Sequence, residues 1–110
     1  MAFSKDALKI DAARMFEELS RTVVSQISDK LKKTGAVIGI SGGIDSSVCA
    51  ALCARALGPE RVIGIMMPEK DSSPESAQLA GMLADKFGFE TVTECITDGL
   101  DGMGCYRRRD

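Results

Sequence analysis

The 110 residues carry 45% hydrophobic and 27% charged side chains, enough apolar material for a packed core and too much for intrinsic disorder. A net charge of −2 supplies no basic field for nucleic acid, and neither a membrane span nor a secretory leader is legible. Histidine is absent, which excludes Ser-His-Asp triads, Cys-His dyads, His-ligated zinc and imidazole proton transfer within this chain. The expectation is a cytoplasmic single-domain protein with no nucleic-acid or membrane partner.

Residues 5–33 carry Leu8, Ala12, Phe16, Leu19, Val23, Ile27 and Leu31 at spacings of three and four. That pattern predicts one long amphipathic helix, N-capped by Ser4 and ended by Gly35. The period then changes. Ala36–Ile40 is a short, partly β-branched apolar run before Ser41–Gly42–Gly43, which suits a strand covered on both faces. Asp45–Leu57 returns to helical composition and stops at Gly58–Pro59, and Arg61–Met67 is a second strand closed by Pro68. The polar segment Glu69–Ser73 reads as a mobile surface loop around Lys70 and Asp71. Ser73 then caps a third helix, with Pro74 at its first position and Glu75 in its first turn. That helix is expected to bury Leu79, Met82, Leu83 and Phe87 and to end at Gly88. Phe89–Ile96 is the third strand. Asp98–Asp110 holds three glycines and then a run of arginines, with neither a helix cap nor a terminal strand. Arg107–Arg109 read as a solvated helix end.

Helix followed by β-α-β-α-β describes an α/β doubly wound parallel sheet, here of about three strands with helices on both faces. The architecture looks incomplete, so residues 1–110 are read as the N-terminal part of a single larger α/β domain. The alternative is a whole chain whose open sheet edge is covered by a partner. The cysteines, Cys49, Cys53, Cys95 and Cys105, form no C-x-x-C pair, which removes support for a zinc ribbon or a thioredoxin-type motif. Cys49 and Cys53 lie in an Ala-rich helix and read as small buried hydrophobes, and Cys95 and Cys105 as free thiols in a reducing compartment.

The chemistry is concentrated in Gly39-Ile40-Ser41-Gly42-Gly43-Ile44-Asp45-Ser46-Ser47, which leaves an apolar strand and opens a helix. In an open α/β sheet, ligands bind at the carboxyl ends of strands. Gly42 and Gly43 allow close backbone approach to an anion, and the amides of residues 42–47 would lie at the positive end of a helix dipole. Ser41, Ser46 and Ser47 add hydroxyls to the same concavity. Asp45 would repel phosphate unless it holds a magnesium ion that bridges to the phosphate oxygens. A simple capped turn is the plainer reading of two glycines alone. The hydroxyls, the acid and the strand-to-helix setting argue against it. No Lys-Ser/Thr follows the glycines, so a Walker A loop is excluded, and the dinucleotide G-x-G-x-x-G is absent.

Ser41-Gly42-Gly43-Ile44-Asp45-Ser46 resembles the signature loop of the PP-loop (N-type) ATP pyrophosphatases. Met66–Ser76, with its Ser72-Ser73-Pro74-Glu75-Ser76, is similar to the post-strand segment of the NAD synthetases within that group, and Gly104–Asp110 to a later stretch. The resemblance runs over nearly the whole chain from about Phe16, but covers only the first part of the family's domain. It implies an adenine nucleotide alpha hydrolase-like sheet and a carbon-nitrogen ligase using ATP and Mg2+. Deamido-NAD would be adenylated, pyrophosphate would leave, and ammonia would displace AMP to give NAD. The resemblance places Ser41, Gly42, Gly43, Asp45, Ser46 and Ser47 on the pyrophosphate, with Asp45 also on the metal. Ile65 and Met66 would meet the adenine through backbone groups, and Gly39, Ile40 and Ile44 complete the nucleotide-binding set. It further implies a homodimer for the complete protein. With the first helix starting near Met1, the ammonia would be free or come from an amidase elsewhere. Rival readings are another PP-loop adenylating enzyme, of GMP synthetase or tRNA-modifying type, and an ATP-binding fragment without turnover.

Overall fold

The computed structural model describes residues 4–109. Its elements are α1 (Ala12–Val24), a π-helical turn (Ser25–Lys30), β1 (Ala36–Gly39), α2 (Ile44–Leu57), a 3-10 turn (Pro59–Arg61), β2 (Val62–Met66), α3 (Pro74–Phe87), β3 (Glu90–Thr93), α4 (Thr97–Gly102) and α5 (Cys105–Arg109). The three strands form one parallel sheet in the order β1-β2-β3, with Ala36 opposite Val62 and Ile63 opposite Glu90. The expected α/β class with three parallel strands is what the chain adopts.

Two ends of the first helix differ from expectation. Ser4 Oγ accepts from the Asp6 amide at 3.2 Å in a local turn, and the true N-cap is Asp11, which accepts from the Arg14 amide at 3.2 Å. The apolar pattern continues back to Leu8, but Leu8 is 92% exposed, and a helical turn with no surface to cover gains nothing from packing. At the other end the Leu31 amide donates to Gln26 O and the Lys33 amide to Ile27 O, which widens the last turn. Lys32, at φ +55°, ends it in place of Gly35. Gly35 serves a different purpose, because a Cβ there would lie 2.5 Å from Arg61 O. The sequence from Asp98 onward predicts neither a helix cap nor a terminal strand, yet residues 97–109 contain α4 and α5, joined at Gly104 with φ +79°.

Helices α2 and α3 lie on the same face of the sheet. Strands added successively in one direction by right-handed crossovers place their connecting helices on one side. The core between these layers consists of Ile40, Val62, Phe89 and four alanines of α2 and α3. Alanine is the working residue here: Ala50, Ala54, Ala80 and Ala84 bring helix backbone close to the strands. Leu83 and Phe87 pack at the margin of that core as expected, whereas Leu79 and Met82 of α3 are exposed. Helix α1 packs against α2 rather than on the sheet, with Glu17 paired to Arg55 at 2.6 Å.

The two-sided cover expected for the strands is present on one face. On the other, Val37 is 65%, Ile63 38% and Val92 50% exposed. The Cα radius of gyration is 17.4 Å, against about 13 Å for a compact domain of this length. Among the described residues no helix is long and apolar enough to cross a membrane.

Candidate functional site

Three helices show how the loop after β1 differs from an ordinary helix start. Helix α1 is capped by the Asp11 carboxylate and α3 by the Ser73 hydroxyl, which accepts from the Glu75 amide at 3.1 Å. Helix α2 is capped by Gly43, which has no side chain to offer. The first-turn amides of α2 therefore keep their donor capacity at the positive end of a 14-residue helix, the arrangement that receives phosphate.

The loop hydroxyls set its shape. Ser46 Oγ accepts from the Ser41 amide at 3.2 Å and lies 3.1 Å from Ser41 Oγ, which in turn accepts from the Gly43 amide at 3.2 Å. Ser47 Oγ donates to Gly43 O at 2.6 Å. Ser41, Ser46 and Ser47 thus draw the strand end and the helix start into one closed curve around Gly42–Gly43. Gly42 has φ +87°, and a Cβ on it would lie 2.8 Å from Ser76 O and 3.0 Å from Ser76 Cα. The left-handed backbone and the backbone-to-backbone approach both require glycine. That contact carries the loop against the start of α3.

A cleft opens between the β1 loop and the segment after β2, lined by Ile40, Ser41, Met66, Met67, Ser72 and Ser76 among others. It brings together Ile40, Ser41 and Met66 of the residues expected from the sequence. Gly43, Ile44 and Asp45 are exposed and do not line it, and Ser46 and Ser47 are half-buried at the helix start. Gly39 lies beside it, where a Cβ would touch Met67 Cε at 3.4 Å. Ile65, expected at the adenine, is half-buried in β2. Asp45 is the one carboxylate between Ser41 and Ser47, and among the described residues no three His, Cys, Asp or Glu side chains form a group that could hold a metal. One carboxylate fits magnesium, which keeps several waters and takes its other ligands from phosphate oxygens.

Sequence reasoning missed how the far wall of the cleft is held. Tyr106 is 7% exposed, and its hydroxyl donates to Glu69 Oε2. Lys70 Nζ sits 3.9 Å from the centroid of the same ring, and Arg109 pairs with Asp71 at 2.5 Å. Burial pushes the Tyr106 phenol above its ordinary range, and the hydrogen bond and charge of Glu69 add to the rise. The segment read as a mobile loop is therefore tied to α5, and Arg109 is engaged rather than merely solvated. The only signal in the sequence was the opposite charge of two short stretches, which does not reveal that they meet.

The cysteines also depart from expectation. Cys49 is exposed, whereas Cys53 is half-buried and packs at the margin of the core that Ala50 and Ala54 of α2 enter. All four are free. Burial, with the neighbouring Cys49, pushes the Cys53 thiol up, whereas hydrogen bonds to the Thr97 hydroxyl and backbone hold the exposed Cys95 thiol down. Since thiolate is the nucleophile, iodoacetamide near neutral pH is expected to label Cys95 well before Cys53. Peptide mass mapping over time checks the order, and faster labelling of Cys53 contradicts it.

Comparison with known proteins points to one family. The family model for NAD synthase matches residues 15–104. An NH(3)-dependent NAD(+) synthetase of Rhizobium rhizogenes is 50% identical over 109 residues, covering 99% of this chain and 33% of that protein. The NH3-dependent NAD synthetase of Campylobacter jejuni, solved with nitrate, superposes with a TM-score of 0.79 at 28% identity, over 89% of this chain and 42% of that one. A glutamine-dependent NAD+ synthetase of Acinetobacter baumannii, solved with ADP, gives 0.71 at 28% identity, over 96% and 20% of the two chains. The chain spans about a third of the length of the curated relatives it matches. With the NAD synthase family model matching residues 15–104, the chain belongs to the NAD synthase family.

Proposed function

We propose that residues 1–110 form the N-terminal, ATP-binding part of an enzyme that amidates deamido-NAD to NAD with ammonia. The observation that carries this reading is the glycine cap of α2, which leaves the first-turn amides to an anion beside the Ser41–Ser46–Ser47 cluster that shapes the loop. The ADP found with the Acinetobacter baumannii relative supports a nucleotide as that anion. Gly42, Gly43, Ser41, Ser46 and Ser47 hold the pyrophosphate portion of ATP. Gly39, Ile40, Ile44 and the Ile65–Met66 backbone complete the nucleotide-binding wall.

A carboxylate oxygen of deamido-NAD attacks the α phosphorus, and the bond to the β phosphate breaks with release of pyrophosphate. Ammonia then attacks the acyl carbon of the adenylate, AMP leaves, and the amide of NAD remains. The loop acts on the first step, because amide donors fixed in place stabilise charge gathering on the departing pyrophosphate without reorganising. Asp45 would hold magnesium, which would supply neutralisation of phosphate charge. The bare sheet face of Val37, Ile63 and Val92 is covered by the rest of the domain, and the complete enzyme is a cytoplasmic homodimer. Incubating the complete enzyme that contains this chain with Mg-ATP, deamido-NAD and ammonium is expected to yield AMP and NAD in equal amounts. Formation of ADP in place of AMP contradicts the reading, because it places the broken bond one phosphate further out.

A further inference from the structure

We propose that Tyr106 is a positioning residue for the nucleotide cleft, acting through Glu69 to fix the wall that carries Ser72. This deepens the ATP-binding reading above and rests on it. The link from Tyr106 to the cleft is short and continuous. Its hydroxyl donates to one carboxylate oxygen of Glu69, and the other oxygen accepts from the Asp71 amide at 2.9 Å. The Glu69 amide donates to Ser72 Oγ at 2.9 Å, and the Ser72 amide returns a bond to Glu69 O at 2.9 Å. Where Glu69 sits therefore decides where Ser72 sits, and Ser72 lines the cleft opposite Ser41.

The neighbouring residues are held by the same helix. Lys70 Nζ lies 3.9 Å from the Tyr106 ring centroid, Arg109 Cζ lies 5.3 Å from it, and Arg109 pairs with Asp71. The Arg109–Asp71 pair is about half exposed on both sides, so it is screened and adds little. The Tyr106–Glu69 bond is the one made from a buried group, and it dominates. A free segment between β2 and α3 would lose backbone entropy each time nucleotide bound. Tied to α5, it is already in place. The ring of Tyr106 serves packing and its hydroxyl serves position, so the two roles separate in Tyr106→Phe.

The test measures Mg-ATP affinity for the chain, for Tyr106→Phe, Glu69→Ala and Glu69→Gln, and for Tyr106→Phe combined with Glu69→Ala. Tyr106→Phe and Glu69→Ala should each weaken binding by about three- to tenfold, the range of one lost hydrogen bond. The double variant should be no weaker than Glu69→Ala alone, because that substitution already removes the bond broken in Tyr106→Phe together with the one from the Asp71 amide. Glu69→Gln, which keeps the acceptor, should recover most of the loss. Trypsin should cut after Lys70 faster in Tyr106→Phe than in the parent, with the melting temperature little moved. Unchanged affinity in Tyr106→Phe, losses that multiply in the double variant, or equal cutting at Lys70 overturns the proposal while leaving ATP binding intact. Failure of the parent chain to bind Mg-ATP overturns the nucleotide reading and this one with it.

Discussion

Mg-ATP at a hundredfold excess over its dissociation constant is expected to raise the melting temperature of the chain by on the order of 10 °C, and Asp45→Ala to abolish the rise. The magnitude follows from linkage: a ligand bound only by the folded state adds about 2.7 kcal/mol at that excess. A domain near this size shifts by about 4 °C or more for each kcal/mol. Asp45 is exposed in the first turn of α2, so removing it costs the unliganded fold only about 0.3–1 kcal/mol of dipole interaction. Its effect on the liganded state is far larger, because a carboxylate beside polyphosphate is unfavourable unless a cation lies between them. Chelating magnesium should therefore remove the stabilisation of the parent chain as well. A rise that persists in Asp45→Ala would place the metal on other ligands.

Gly64→Ala is expected to lower stability by about 2–3 kcal/mol, whereas Gly81→Ala should raise it by up to about 1 kcal/mol. The same added methyl meets opposite surroundings. At Gly64, in the middle of β2, it would fall 2.3 Å from Ile40 Cδ1 and 2.9 Å from Phe89 Cε2, both in the core. Both side chains are buried and closer than any real Cβ contact, so the strand, Ile40 or Phe89 must shift. At Gly81, within α3, nothing lies within 4 Å of the new atom, and alanine has the higher helix propensity. Thermal melts of the two variants check the pair. A Gly64→Ala chain as stable as the parent would mean that the core between sheet and helices is looser than described.

The strand runs AVIGI and RVIGIMM, the Ser73–Pro74 helix start and the left-handed Gly88 stop were legible because each is decided by neighbours in the chain. The loop from Ser41 to Ser47 was legible for the same reason, since its hydroxyls and glycines bond among themselves over a few residues. What the sequence hid depends on contacts between distant segments. The stripe on residues 5–33 predicts a helix wherever a partner surface exists, and no such surface reaches Leu8. Alanines that carry the α2 and α3 interface look unremarkable beside Leu79 and Met82, which point away. The union of Glu69 with Tyr106 joins segments 37 residues apart, and no local pattern announces it.

The most direct test of the central claim, that the glycine-capped loop receives pyrophosphate, is to follow the backbone amide resonances of the chain while magnesium pyrophosphate is added. The account predicts that the largest shifts fall on the amides of residues 42–47, with smaller ones at Ser72 and Ser76 across the cleft, and that ATP produces the same pattern. Shifts concentrated on Arg107–Arg109 or on the bare face of Val37 and Ile63, with residues 42–47 unmoved, would contradict it.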